Sequence, residues 1–349
     1  MTNRAALVPL VGLAVLVGLM AWRLLGSGDR LVVFDFTGAI MGTTYSVKVE
    51  TLPLSIEKQD GIAAIIQAVL DDVDDRMSTY DTASELSRFN AYRGTAPIVV
   101  SESVIAVFVL ARRISEVTGG AFDVTVGPLV NVWGFGPITV PDGAPDENEV
   151  ARIRTIVGWD NIVLDGEAHT LTKVHPEIVA DLSAIAKGYA VDRVADALVS
   201  EGMSTFLVEV GGEVKAGGTK HTGLGWRVAI EEPDTAARRV FRAFELQDAA
   251  IATSGDYRNF DERDGVMYSH IIDPRTGRPN PYRGSLVSVI DESAAVADAW
   301  ATALTVLGPE GGRALAEREG IAAFFAVQTE TGYESWATSA FRERTELSR

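Results

Sequence analysis

The stretch Val179-Ala180-Asp181-Leu182-Ser183-Ala184-Ile185-Ala186-Lys187-Gly188-Tyr189-Ala190-Val191-Asp192, running on to Leu198, decides how this chain is read. A short apolar run (Ile178, Val179, Ala180) meets an acid and a serine, and an amphipathic helix follows. Ala190, Val194, Ala197 and Leu198 fall at helical spacing on one face. Asp181, Ser183, Lys187 and Gly188 crowd the start of that helix with more polar and small residues than packing needs. Free N–H groups at a helix start, with a lysine one turn in, suit a phosphate or another anion. The same residues also fit an ordinary N-cap followed by a solvated lysine. Taken alone, the segment leaves both readings open.

Outward from it, strands and helices alternate without the regular spacing of βαβ units. Leu31–Phe36 and Thr43–Val49 read as strands; in the second, Tyr45, Val47 and Val49 alternate with Thr44, Ser46 and Lys48. The glycines of Gly38–Thr43, between them, permit close backbone approach. Ile56–Met77 and Ser101–Val117 read as amphipathic helices, the second closed by Thr118-Gly119-Gly120. Residues 121–137 are rich in aromatics and glycine and poor in charge, which suits a lining. A short helix is expected over Glu149–Gly158, and strands over Phe206–Val210, Trp226–Glu231, Arg239–Gln247, Ser285–Ile290 and, as the last, Ala322–Thr329. Ser293–Leu307 is an alanine-rich helix that puts Asp298 and Thr302, four apart, on one face. Several strands look like hairpin partners. The fold class expected is α+β, with mostly antiparallel sheets and packed helices.

Composition narrows the function. The 349 residues carry a formal net charge of −17, against the basic patches that a nucleic-acid surface needs. An anionic ligand would need local cations or a metal. There is no cysteine, which excludes disulfides, thiolate zinc sites, a cysteine nucleophile and a lipoprotein lipid anchor. P-loop, His-Glu-x-x-His and complete dinucleotide fingerprints are absent from the sequence. Ala5–Trp22 is an apolar run of 18 residues with Arg4 before it and Arg23 after. It suits a single membrane-spanning anchor, with a cleaved signal peptide as the alternative; no clear small-x-small cleavage site follows it. The expected organisation is an anchor and linker over 1–30, one domain over 31–340 and a frayed tail over 341–349.

The motifs Met41-Gly42-Thr43, Met77-Ser78-Thr79-Tyr80 and Gly120-Ala121-Phe122-Asp123 occur in that order. They are followed by Asp181-x5-Lys187-Gly188-Tyr189, Gly211-Gly212, Thr253-Ser254-Gly255-Asp256-Tyr257, His270-Ile271-Ile272-Asp273-Pro274 and Ala297-Asp298-Ala299-x-Ala301-Thr302. Each is weak by itself, but the ordered set, over about residues 36–310, resembles the ApbE family, the magnesium-dependent FAD:protein FMN transferases. The resemblance implies Mg2+-dependent transfer of FMN from FAD to a threonine hydroxyl of an acceptor protein, with release of AMP. It implies FAD contacts from Met41, Tyr80, Ala121, Phe122, Asp123, Asp181, Lys187 and Ile272. It implies Mg2+ ligands from Asp298, Thr302 and the main-chain carbonyl of Ala184, with Ala301 adjacent. His270 is the candidate for receiving the threonine proton, with a structural histidine as the alternative. Asp273 and Thr276 are expected to shape a turn, and His169, His175 and His221 to lie at the surface. The acceptor implied is a subunit of a membrane redox complex. The anchor would then hold the catalytic domain on the periplasmic side of a bacterial inner membrane. An FAD pyrophosphatase giving FMN and AMP, or a non-catalytic flavin-binding protein, would use the same site.

Overall fold

Eight strands form one sheet in which order across the sheet follows order along the chain: β1 (Val32–Ile40), β2 (Thr43–Thr51), β3 (Phe206–Val210), β4 (Glu213–Gly217), β5 (Ala249–Gly255), β6 (Leu286–Asp291), β7 (Ala322–Thr329) and β8 (Gly332–Ala337). Every neighbouring pair is antiparallel. The computed structural model describes residues 30–138, 143–232, 239–255, 260–263, 266–282, 284–329 and 332–346. The expected α+β class with antiparallel sheets is what it shows.

Alternation along the strands sets the two faces of the sheet. Tyr45, Val47 and Val49 of β2 are buried opposite Val210, Val208 and Phe206 of β3. Their face packs under the helices α1 (Ile56–Met77), α2 (Glu102–Thr118), α3 (Ala186–Ser200) and α4 (Ala294–Glu319), whose Ile66, Leu70, Phe108, Val191 and Leu304 share the same core. The opposite face is covered over β5–β7 by a hairpin, Trp226–Glu231 paired with Val240–Leu246. Trp226, Val228 and Phe244 of the hairpin pack there with Ile251, Leu286 and Phe324. Burying large apolar side chains of this kind stabilises by roughly 1.5–3 kcal/mol each, so both layers are fixed by their own cores.

The structure corrects several expectations. α3 begins at Ala186, capped by no side chain, so Lys187 is its second residue and not a turn inside it. Asp181 instead caps a local turn, its Oδ1 accepting the Ser183 N–H at 2.8 Å and the Ser183 hydroxyl at 2.6 Å. Residues 38–40 belong to β1, and the turn itself is Met41–Gly42, both at positive φ. α4 continues past Leu307 through a kink at Gly308-Pro309. Ala322–Thr329 is not the last strand, because β8 pairs with it. Nor is the described part of the tail frayed: Ser339–Glu346 is a helix, and its Phe341 is fully buried against the hairpin. A single buried aromatic outweighs the polar look of that segment. The anchor expected over Ala5–Trp22 lies outside the described residues. Among the described residues no helix is long and apolar enough to cross a membrane.

Candidate active site

The site forms where the starts of α3 and α4 cross. Asp192 of α3 accepts the Ser293 hydroxyl at 2.7 Å and the N–H groups of Ala294 and Ala295 at 3.0 Å. It is also paired with Lys215 at 2.7 Å. Two free N–H groups of the α4 start are therefore taken by a side chain of another helix, while the Ser293 hydroxyl oxygen accepts that of Val296. One turn along α4, the Asp298 carboxylate accepts the Gly188 N–H at 3.1 Å. The crossing depends on glycine: a Cβ at Gly188 would stand 2.3 Å from the Ala294 carbonyl oxygen.

Three charged side chains meet at this crossing. The Lys187 Nζ lies 3.2 Å from Glu213 Oε1 and 3.8 Å from Asp298 Oδ2. Glu213 follows the Gly211–Gly212 turn between β3 and β4, and its Oε2 is buried with no hydrogen-bond partner. Burial pushes the Glu213 carboxyl well up from the usual carboxylate range, opposed by Lys187. Burial likewise raises Asp298, against Lys187 and the Gly188 N–H. For Lys187 burial disfavours the charge, but Asp298 and Glu213 beside it outweigh that and hold its pKa above the ordinary value. Two desolvated carboxylates share one ammonium, so the cluster has room for further positive charge.

The cluster opens into a cavity of about 1060 Å³. That is the upper end of the ~300–1,000 Å³ typical of small-molecule sites, which suits a dinucleotide. Tyr80, Ala121, Phe122, Asp123, Asp181 and Ile272 all line it, as does His270. Ala184, Asp298 and Thr302 line it too, together with Lys187. Met41 and Ala301 are not brought into the lining. Met41 sits in the β1–β2 turn, packed against the helical core. Ala301 is fully buried in that core and its carbonyl accepts the Thr305 hydroxyl, because its position on α4 is turned away from the Asp298–Thr302 stripe.

The supports of the lining are local. Asp123 is buried and accepts the Thr125 N–H and hydroxyl at 2.8 and 2.7 Å; burial raises its pKa. Asn90 grips Ala180 by both its N–H and its carbonyl, at 2.7 and 2.8 Å, and Asp181 donates its N–H to the Val124 carbonyl at 2.7 Å. The last bond holds the Ala180–Asp181 strip against the Phe122–Val124 strip, and the Asn90 pair ties it to the helix Glu85–Ala91. Asp273 forms a turn, as expected, its carbonyl accepting the Gly277 N–H and its carboxylate pairing with Arg275 at 2.9 Å. His221 is half-exposed, and its ring reaches the buried Glu50 at 2.6 Å, away from the cavity lining.

Sequence reasoning missed Glu213, along with Thr43, Thr44 and Glu209 in the lining. The one signal for Glu213 was an acid directly after a Gly-Gly turn, leading into a strand.

The donor set suits a hard divalent cation. The Asp298 carboxylate, the Thr302 hydroxyl and the Ala184 carbonyl belong to residues that line the same cavity, and Glu213, also in the lining, has an orphaned oxygen.

The chain is similar to known proteins over most of its length. The model of the ApbE family matches residues 41–325. An FAD:protein FMN transferase of Vibrio cholerae is 46% identical over 306 residues, 88% of this chain and 91% of the relative. That of Haemophilus influenzae is 38% identical over 331 residues, 94% and 96% of the two chains. Among solved structures, the flavin transferase ApbE of Vibrio cholerae superposes with a TM-score of 0.82 at 43% identity, covering 90% of this chain and 99% of that one. The flavinyl transferase ApbE of Pseudomonas stutzeri, in its apo form, gives a TM-score of 0.81 at 39% identity, covering 90% and 97%. With a family model spanning most of the folded part, and relatives similar over nearly their whole length, the chain belongs to the ApbE family.

Proposed function

We propose that this protein transfers FMN from FAD to a threonine hydroxyl of an acceptor protein, releasing AMP, with Mg2+ bound at the Asp298–Thr302 wall. The observation that carries the proposal is that Lys187, Asp298, Thr302 and Ala184 line one dinucleotide-sized cavity with the aromatic Tyr80 and Phe122. The exposed Tyr80 offers a flat face for the rings of FAD, and Asp123 and Asp181 offer acceptors for its hydroxyl or base edges. Lys187 offsets pyrophosphate charge. In the reaction the threonine oxygen attacks the phosphorus on the FMN side, the bond to the AMP oxygen breaks, and AMP leaves. The threonine proton passes to His270, which lines the same cavity. Asp298, Thr302 and the Ala184 carbonyl would hold the Mg2+, which when bound neutralises charge on the pyrophosphate. Position and charge neutralisation are what such a transfer chiefly needs.

The test uses purified protein with FAD, Mg2+ and a candidate acceptor. In-gel flavin fluorescence on the acceptor, with stoichiometric AMP, is the result expected. AMP and free FMN without a labelled acceptor would identify an FAD pyrophosphatase instead. No AMP under any condition would overturn both and leave a flavin-binding protein. For His270→Ala the proposal expects slower transfer with FAD still bound.

The same proposal puts the enzyme at a bacterial inner membrane, tethered by Ala5–Trp22 with its catalytic domain in the periplasm and its acceptor in a membrane redox complex. Mass measurement of the membrane-bound protein tests the tether; a mature form lacking the first 22 residues would refute it.

A further inference from the structure

α4 breaks at Gly308-Pro309, where Gly308 takes a φ of 74°. Pro309 has no N–H to give the Thr305 carbonyl four residues back. Thr305 is buried, so its carbonyl needs a donor from elsewhere in the chain. Asn280 supplies it: its Nδ2 donates to the Thr305 carbonyl at 2.9 Å, and its Oδ1 accepts the Tyr282 N–H at 3.3 Å. A carbonyl demands a donor and an N–H an acceptor, so the two partners fix which way the amide points. The chain after Asn280 sits in the kink itself. A Cβ at Gly308 would stand 2.1 Å from the Tyr282 ring. The break that orphans the carbonyl thus also makes room for the segment that satisfies it.

The same residue holds the edge of the cavity. Asn280 gives its own N–H to the Ile271 carbonyl at 2.8 Å, next to the antiparallel pair of Ile272 with Pro279. Ile271 stands between His270 and Ile272 in the chain, and all three line the cavity. The Ile271 N–H is held by the Ser269 hydroxyl at 3.2 Å, and its side chain packs with Ala121 and Val306. Asn280 itself is 4% exposed and lies outside the lining. Its main chain therefore grips the strip that carries His270, while its side chain grips α4 three residues past Thr302.

Transfer needs a base within reach of the threonine proton while the phosphorus stays in place. The phosphate end is set by α4, through Asp298 and Thr302, whereas the base comes from a different strip of chain. Their separation is carried by what joins the two. Resting on the function proposed above, we infer that Asn280 is a positioning residue for His270. It locks the His270–Ile272 strip to α4 at the Pro309 kink and so sets where the ring stands relative to the Asp298–Thr302 wall. It acts through His270 and not on FAD.

The experiment is a double-mutant cycle on the full-length protein with FAD, Mg2+ and the acceptor that wild type labels in the test above. Asn280→Ala should lower kcat for FMN attachment about tenfold or more, with the acceptor KM and the FAD dissociation constant within about twofold of wild type. In a His270→Ala background the same change should cost no more than about twofold, because the group it positions is gone. Asn280→Ser keeps a small hydroxyl donor for the Thr305 carbonyl; it should lose less, and it carries the same cycle if Asn280→Ala does not fold. An equal loss in both backgrounds would show a general structural role and overturn the inference. So would a loss of FAD affinity with kcat unchanged, or wild-type kcat in Asn280→Ala. Wild-type kcat in His270→Ala would remove the group being positioned and overturn it too. If wild type labels no acceptor at all, the transferase proposal fails and this inference falls with it.

Discussion

Gly188 donates its N–H to the Asp298 carboxylate at 3.1 Å, and its missing side chain lets the starts of α3 and α4 approach closely enough for that bond. The stretch that looked like a capped helix is thus the place where two helices bring a lysine and a buried acid together. A methyl at position 188 has to displace the Ala294 carbonyl, which is backbone and cannot swing aside. Gly188→Ala is expected to destabilise the fold by about 1–3 kcal/mol, read as a lower denaturation midpoint. Wild-type stability would show that the two helices part without cost.

Asp298→Asn keeps the shape of the side chain but removes the charge that meets Lys187. The fold should survive, because Glu213 remains to pair with the lysine. Transfer should fall about 100-fold or more, as expected when a preorganised charge at a phosphoryl-transfer centre is lost. Activity near wild type would show that the cation is held elsewhere.

Glu213 is buried with an unpaired oxygen beside the same lysine. Glu213→Gln leaves Lys187 to Asp298 alone and takes an ionisable oxygen out of the wall. The Mg2+ concentration for half-maximal transfer is expected to rise about tenfold, the order seen when groups supporting a metal ligand are changed. Isothermal titration with Mg2+ gives a second readout; unchanged affinity in both would remove Glu213 from the cation's surroundings.

Lys173, which is not among the residues lining the cavity, supplies a pH test. It is 1% exposed, and its Nζ donates to the carbonyls of Asn90 and Tyr92 at 3.0 Å and lies over the Phe89 ring. Burial pulls its pKa down to about 8, below the ordinary ~10.4 of an unfolded chain. Between those values the unfolded chain binds the proton more tightly, so this group's contribution to stability rises with pH through the window. The cost of the buried charge is fully present below about pH 8, with an upper bound of about 3 kcal/mol. Urea unfolding from pH 8 to 10 should show wild type gaining on Lys173→Met; parallel curves would refute the assignment.

Much of the molecule was legible in the order of its residues. Alternation in Thr43–Val49 and periodicity in Ile56–Met77 each reflect one buried face, which sequence spacing records directly. The spacing of Asp298 and Thr302 told that both share one helix face, and that face lines the cavity. The α+β class followed from the irregular alternation of elements. What sequence could not decide were features made by distant segments. Phe341 orders a polar tail only because a hairpin about a hundred residues earlier offers it a pocket. The start of α3 shifts to Ala186 because Asp181 spends its carboxylate on Ser183. Glu213 is an acid in a strand until Lys187 and Asp298 are folded around it, and its burial is what perturbs it. The opening segment shows the division: its residues determined that a helix with a lysine near its start would form. Only the crossing of α3 and α4 decided that Lys187 faces two buried carboxylates at the wall of a cavity and not the solvent. That is because desolvation and Coulomb energy depend on which charges the tertiary fold brings within a few ångströms.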